Sequence, residues 1–337
     1  MPTTTLDSAR WRAAWDEVMT GFVPGLPSLE AAIAVAADAV LGRSPVRVLD
    51  LGGGPGVLAE RMSARWPEAA VTMIDIDPVL LALARDGVPP AVSVIDADLG
   101  EALPINDDSI QADDSKLLAE GDTVPDDVLR SGALLGDALP NGAPSGGARS
   151  GGALPNGALP DGALPNGALP NGALPNGALP DGALPDGPRS DGARSHGALP
   201  ADRGYDLATA VMTVHYLRPE RIRALYRRCR RALAPGGLLV VADLMPDDGL
   251  PSVMSALNPA PGEAAAELAW AQWWGEVGEA SEFAGLMESR ADVFRSRPPA
   301  NFAGSVSWHV AAARSAGFRE AGLLWRDGRH AAMAAVA

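Results

Sequence analysis

The chain of 337 residues has one cysteine, Cys229, and one lysine, Lys116. A single cysteine excludes an intramolecular disulfide and a zinc site built from several thiolates. Nowhere do 18 apolar residues run together, so no membrane partner is expected. The first ten residues lack a basic stretch followed by an apolar core, so no secretory signal is read there. The expected compartment is the cytoplasm. Positive charge is scarce overall. A net charge of −15 argues against nucleic acid as the main partner. The lack of lysine beside abundant Ala, Gly, Pro and Arg reads as GC-rich coding rather than chemistry.

Aromatic residues are missing altogether from 105–200, which hold 17 of the 38 glycines and 12 of the 30 prolines. The same stretch carries 13 acids against 5 bases, more than half of the net charge. From 132 to 201 the chain repeats five-residue units such as GALPN (152–156) and GALPD (157–161). A period of five matches no helix or strand, and each unit sets Pro before Asn-Gly or Asp-Gly, which is turn chemistry. One Leu per unit does not offset about 1–2 kcal/mol of ordering cost per residue. Residues 105–203 are therefore expected to form a disordered insert; a solenoid would need the N–H donors that proline removes. About 240 residues remain, enough for one full core.

That remainder alternates strand and helix. Strands are expected at 46–51, 71–76, 91–95, 205–214 and 238–244, with helices at 56–66, 78–86 and 219–233 between them. The third helix is expected to stop in a tight turn at 234–237. Such alternation implies an α/β fold, a doubly wound and mostly parallel sheet with ligands beyond the carboxyl ends of its strands.

Asp50-Leu51-Gly52-Gly53-Gly54-Pro55-Gly56 joins the first strand to the first helix of that series. Glycines let backbone approach a ligand, and the helix start offers free N–H groups. The dinucleotide pattern G-x-G-x-x-G/A fails from Gly52 and passes formally from Gly54, so it does not decide. The acids around it are more telling. Asp50 precedes the glycines, Asp75 ends the second strand and Asp98 follows the third. Carboxylates at three neighbouring strand tips repel a pyrophosphate but suit a cationic nucleoside, and S-adenosylmethionine (SAM) is such a ligand.

V-L-D-L-G-G-G-P-G at 48–56 resembles the first motif of class I SAM-dependent methyltransferases, VLDxGxGxG. Residues 71–75 resemble that family's second motif, 96–99 its acidic turn, and LAPGG at 233–237 its L-x-P-G-G turn. The resemblance covers about 30–337 apart from the insert, and the N- and C-terminal segments look most like bacterial small-molecule enzymes. It implies a seven-stranded Rossmann-like sheet whose last strand is antiparallel, with a helical cap at 1–45, catalytic-domain segments at 46–104 and 204–337, and more cap at about 250–303. It implies further that Asp50, Gly52, Gly54 and Gly56 line the methionine moiety, and that Asp75 binds the ribose. Ile76 packs on adenine, Asp98 and Leu99 meet its edge, and Met212 and Thr213 lie beside the methionine part.

A small-molecule acceptor is expected against the cap, at Trp11, Trp15, Phe22 and Tyr216. Its methyl transfer is a direct displacement that needs alignment and desolvation first. A base is required only for a hydroxyl or acidic carbon, and His215 and Asp243 are the candidates. No metal is expected, because Asp243, Asp247 and Asp248 do not match a recognised ligand spacing. A tRNA or protein methyltransferase, and a SAM-binding partner without catalysis, are the alternative readings. The arginine-rich helix keeps the first of these open.

Overall fold

The computed structural model describes residues 6–100, 204–260, 262–297 and 299–337. The expected disordered insert lies outside the described residues. Among them, seven strands form one sheet: β1 (Arg47–Leu51), β2 (Ala70–Asp75), β3 (Val92–Asp96), β4 (Tyr205–Val211), β5 (Leu233–Leu244), β6 (Glu320–Asp327) and β7 (His330–Val336). Their order is β3-β2-β1-β4-β5-β7-β6. All pairs are parallel except those of β7, which runs antiparallel to both β5 and β6. Strand order reverses between β1 and β4, and an open sheet of this kind has its ligand crevice above such a reversal.

Alternating side chains assign the two faces. Val48, Val71, Leu207 and Val240 turn to one face, against helix α2 (Leu26–Leu41) and helix α3 (Val57–Arg65). Leu49, Ile74, Ala208 and Leu239 turn to the other, against α5 (Pro219–Ala232) and α9 (Val306–Ser315). The apolar side of α5 recurs at helical spacing: Ile222, Leu225, Tyr226 and Cys229 are all fully buried. Burial pushes the Cys229 thiol up to about 12, so it is a core residue without thiolate chemistry.

A third cluster joins the cap to the sheet. Helix α1 (Ser8–Phe22) packs Trp11, Trp15 and Val18 against α4 (Pro78–Gly87) and α7 (Glu263–Glu279). Between α7 and α9 lie α8 (Ala284–Ser296) and the single turn Ser281–Phe283, while α6 (Pro251–Ala256) precedes α7. No single described helix is long and apolar enough to cross a membrane.

Two expectations are corrected. Strand β4 stops at Val211, and Val214–Tyr216 forms a 3-10 turn instead. The tight turn expected at 234–237 is absorbed into β5, which starts at Leu233 straight out of α5. The register shifts between Tyr205, paired with Leu233, and Leu207, paired with Leu238. Gly204 makes this irregularity fit, since a Cβ there would lie 2.5 Å from the Ala234 nitrogen. The reading missed it because a bulge depends on the partner strand, and Pro-Gly-Gly reads locally as a stop.

Candidate functional site

Three backbone segments meet where the strand order reverses. The loop after β1 is anchored by the Gly52 and Gly53 N–H groups, which donate to the Ile74 carbonyl at 2.8 and 3.1 Å. Gly52 has φ +70°, and a Cβ on it would come within 2.1 Å of the Thr213 hydroxyl. The loop therefore runs hard against the end of β4, and Gly56 caps α3. Met212 holds φ +53°, rare for a side chain of its size. Backbone held in that region is costly and collects where geometry serves a ligand.

Asp50 is fully buried at the tip of β1. The Thr209 hydroxyl, directly across on β4, donates to its Oδ1 at 2.9 Å. Its Oδ2 is buried and has no hydrogen-bond partner. Burial pushes this carboxyl up to about 7, against the pull of Thr209. A buried carboxylate oxygen without a protein donor is suited to a cation or a ligand N–H. Asp50 lines an open cleft together with Trp15, Gly52, Gly53, Gly54 and Met212. A Cβ on Gly54 would touch the Trp15 ring at 3.5 Å, so loop and indole adjoin in the cleft lining.

Asp75 ends β2 and is also buried, pushed up to about 6 by burial. Its Oδ2 accepts from Gly54 N–H at 2.8 Å, and its Oδ1 from Ile76 and Asp77 N–H at 2.7 and 2.9 Å. It thus ties the glycine loop to the β2 tip. Asp77 caps α4 through the Val79 N–H and pairs with Arg290 at 2.6 Å. Asp98 accepts from Gly100 N–H at 2.7 Å and pairs with Arg297 at 2.6 Å. Leu99 packs into the α5 face of the core rather than toward the cleft.

At the tips of β4 and β5, His215 Nδ1 lies 2.8 Å from Asp243 Oδ1. The His215 N–H donates to Oδ2 and the Leu244 N–H to Oδ1, which fixes the carboxylate. Burial lowers the His215 pKa, but the charge of Asp243 and its hydrogen bond raise it more, so it stands above 6.5. Asp243 is held below its ordinary value by the same partner, against burial. The Tyr216 ring stacks 4.1 Å from the imidazole and is exposed. The other nearby acids turn elsewhere: Asp248 accepts from Ser305 and Ser307, and Asp247 lies 3.6 Å from Arg326.

The aromatic candidates separate. Trp15 reaches the cleft, with Trp270 and Trp273 centred 5.0 Å behind it. Trp11 is packed between Trp273 and Phe283, and Phe22 leans on Trp270. These two build the cap rather than the cleft. Four contributors escaped the sequence reading: Arg12, Thr209, Arg290 and Arg297. Arg12 is buried, and its guanidinium donates to the carbonyls of Pro55, Gly56 and Gly87 and to Glu60. It sews α1 to the glycine loop. No local signal distinguishes it from the other arginines. Arg12→Met is expected to cost about 2–4 kcal/mol, since several buried partners lose their donor. A lowered urea midpoint with an unchanged slope would show it.

The family profile described as "Methyltransferase domain" matches residues 27–284. A malonyl-[acyl-carrier protein] O-methyltransferase of Laribacter hongkongensis is 36% identical over 100 residues, 27% of this chain and 33% of that protein. A trans-aconitate 2-methyltransferase of Methylobacterium nodulans is 44% identical over 61 residues, 18% of this chain and 23% of that protein. The matched stretches thus span a third or less of these relatives. Among solved structures, an O-methyltransferase family protein from Burkholderia thailandensis gives a TM-score of 0.44 at 12% identity, over 96% of this chain and 59% of the other.

Proposed function

The chain belongs to the methyltransferase-domain family, and from that premise we propose that it methylates a small-molecule hydroxyl. The cofactor is S-adenosylmethionine, which when bound supplies a methyl group on a positively charged sulfur. Asp50 is the observation that carries the reading. A buried carboxylate with one unpaired oxygen, facing a glycine-walled cleft, suits the cofactor's ammonium group and repels a pyrophosphate. Gly52, Gly54 and Gly56 would line the methionine part, with Met212 and Thr213 beside it. Asp75 would take the ribose, Ile76 would pack on adenine, and Asp98 would meet its edge.

His215 is assigned as the base. Asp243 fixes one ring nitrogen, and Nε2 has no hydrogen-bond partner among the described residues. It takes the hydroxyl proton as the acceptor oxygen is methylated. The O-methyltransferase name of the Laribacter relative supports an oxygen acceptor. The tryptophan-rich cap, with Trp15 at the cleft, supports a small acceptor shielded from water.

Calorimetry with S-adenosylhomocysteine tests the cofactor arm. Asp50 titrates near 7 in the free protein. A cation beside it lowers that value, so binding just below pH 7 is expected to release a proton. Heats measured in two buffers of different ionisation enthalpy would show the release. Asp50→Asn is expected to bind more weakly and without it. Binding of NAD in place of S-adenosylhomocysteine would sink the proposal.

A further inference from the structure

Helix α8, 13 residues long, has no fully buried side chain; Leu286 and Met287 pack half-buried against the cap cluster. Its ends are fixed all the same. Before it, Phe283 is fully buried against Trp11. After it, the Ala300 and Phe302 N–H groups donate to the Tyr216 and His215 carbonyls at 3.2 and 3.0 Å. Between these anchors the chain is held to the sheet rim by two arginines seven residues apart. Arg290 Nε is 2.6 Å from Asp77, and Arg297 Nε is 2.6 Å from Asp98. Arg290 also lies 3.7 Å from the Trp274 ring centre and 4.8 Å from that of Phe294.

Those two acids stand at the tips of β2 and β3, where the cofactor reading puts ribose and adenine. An element with no fully buried side chain and firm ends opens at lower cost than the core helices do. We propose that α8 is a latch over the nucleoside end of the cofactor cleft, closed by Arg290–Asp77 and Arg297–Asp98. Cofactor exchange then requires both ion pairs to part, while Phe283 and the 300–302 segment stay seated as hinges. Arg290 and Arg297 are positioning residues: they act through Asp77 and Asp98 and set how fast the cofactor enters and leaves. The inference rests on the cofactor reading above.

Stopped-flow tryptophan fluorescence on the full chain loaded with S-adenosylhomocysteine tests it. The double variant R290M/R297M is expected to release the ligand about tenfold faster than wild type. R290K and R297K, which keep the charge, should stay nearer the wild-type rate. Wild-type release should also accelerate between roughly 0.1 M and roughly 1 M salt, where the screening length falls from about 10 to about 3 Å. The double variant should lose that salt response. An unchanged release rate in the double variant overturns the latch. If that variant does not fold, unchanged release rates in R290M and R297M taken singly overturn it instead. A wild type that binds no S-adenosylhomocysteine refutes the cofactor reading itself, and this is seen before any variant is made.

Discussion

Gly54→Ala is expected to weaken S-adenosylhomocysteine binding by about 10- to 150-fold, the worth of one hydrogen bond to a charged group. The new methyl would project from the loop into van der Waals contact with the Trp15 indole, at the wall of the cleft. A ligand lying against this stretch of the loop must move off it. The methyl clashes with nothing in the protein, because its nearest neighbour is the indole at 3.5 Å. The backbone cost is separate: φ +57° disfavours any Cβ, by about 1–2 kcal/mol. Gly42→Ala isolates that term. Gly42 has φ +64° at the end of α2, with open space where its Cβ would go. Both variants should lose similar thermal stability, and only Gly54→Ala should lose ligand. Equal affinities in the two would mean that the cleft wall is misassigned.

His215→Gln is expected to lower kcat by about 10²–10⁴-fold, the usual range for a positioned base. Cofactor affinity should change little, since the imidazole stands at the tips of β4 and β5 and the glycine loop follows β1. The sign of the pH dependence follows from the charge beside the ring. Asp243 raises the His215 pKa above 6.5, so wild-type kcat should climb with pH as the ring loses its proton, and level off above that value. Asp243→Asn removes the raising charge, and burial then dominates. The rising limb should move to lower pH, with a lower plateau because the ring is held less firmly. A flat pH profile with normal kcat in His215→Gln would show that the acceptor needs no base.

The parts legible in the sequence were those written in contiguous residues. The glycine loop and the acid after each strand could be placed because a strand tip is a local event. The antiparallel last strand that the resemblance implies is β7, which leaves β6 after Asp327 and starts at His330. What stayed hidden depends on pairing across the chain. Thr209 meets Asp50 from 159 residues away, Arg12 meets Pro55 from 43, and Arg290 meets Asp77 from 213. Nothing near an arginine in a sequence says which distant carbonyl or carboxylate it will reach. The start of β5 failed for the same reason, since its bulge is defined by Tyr205 and Leu207 on the neighbouring strand.

The described residues on either side of 101–203 are held by parts of the sheet and its helices. On one side, Arg228 and Arg221 of α5 hold the carbonyls of Leu99 and Gly100. On the other, Gly204 lies against the backbone at Ala234. The framework therefore meets the same two endpoints whatever number of pentapeptides is written between them. Closing a loop twice as long costs only about 0.6 kcal/mol more. For the disordered insert that the composition predicts, copy number is expected to be nearly neutral for the fold, and replication slippage in so regular a coding stretch to vary it. Related strains should differ in the count of GALPN units while keeping Leu99, Gly100 and Gly204 in place.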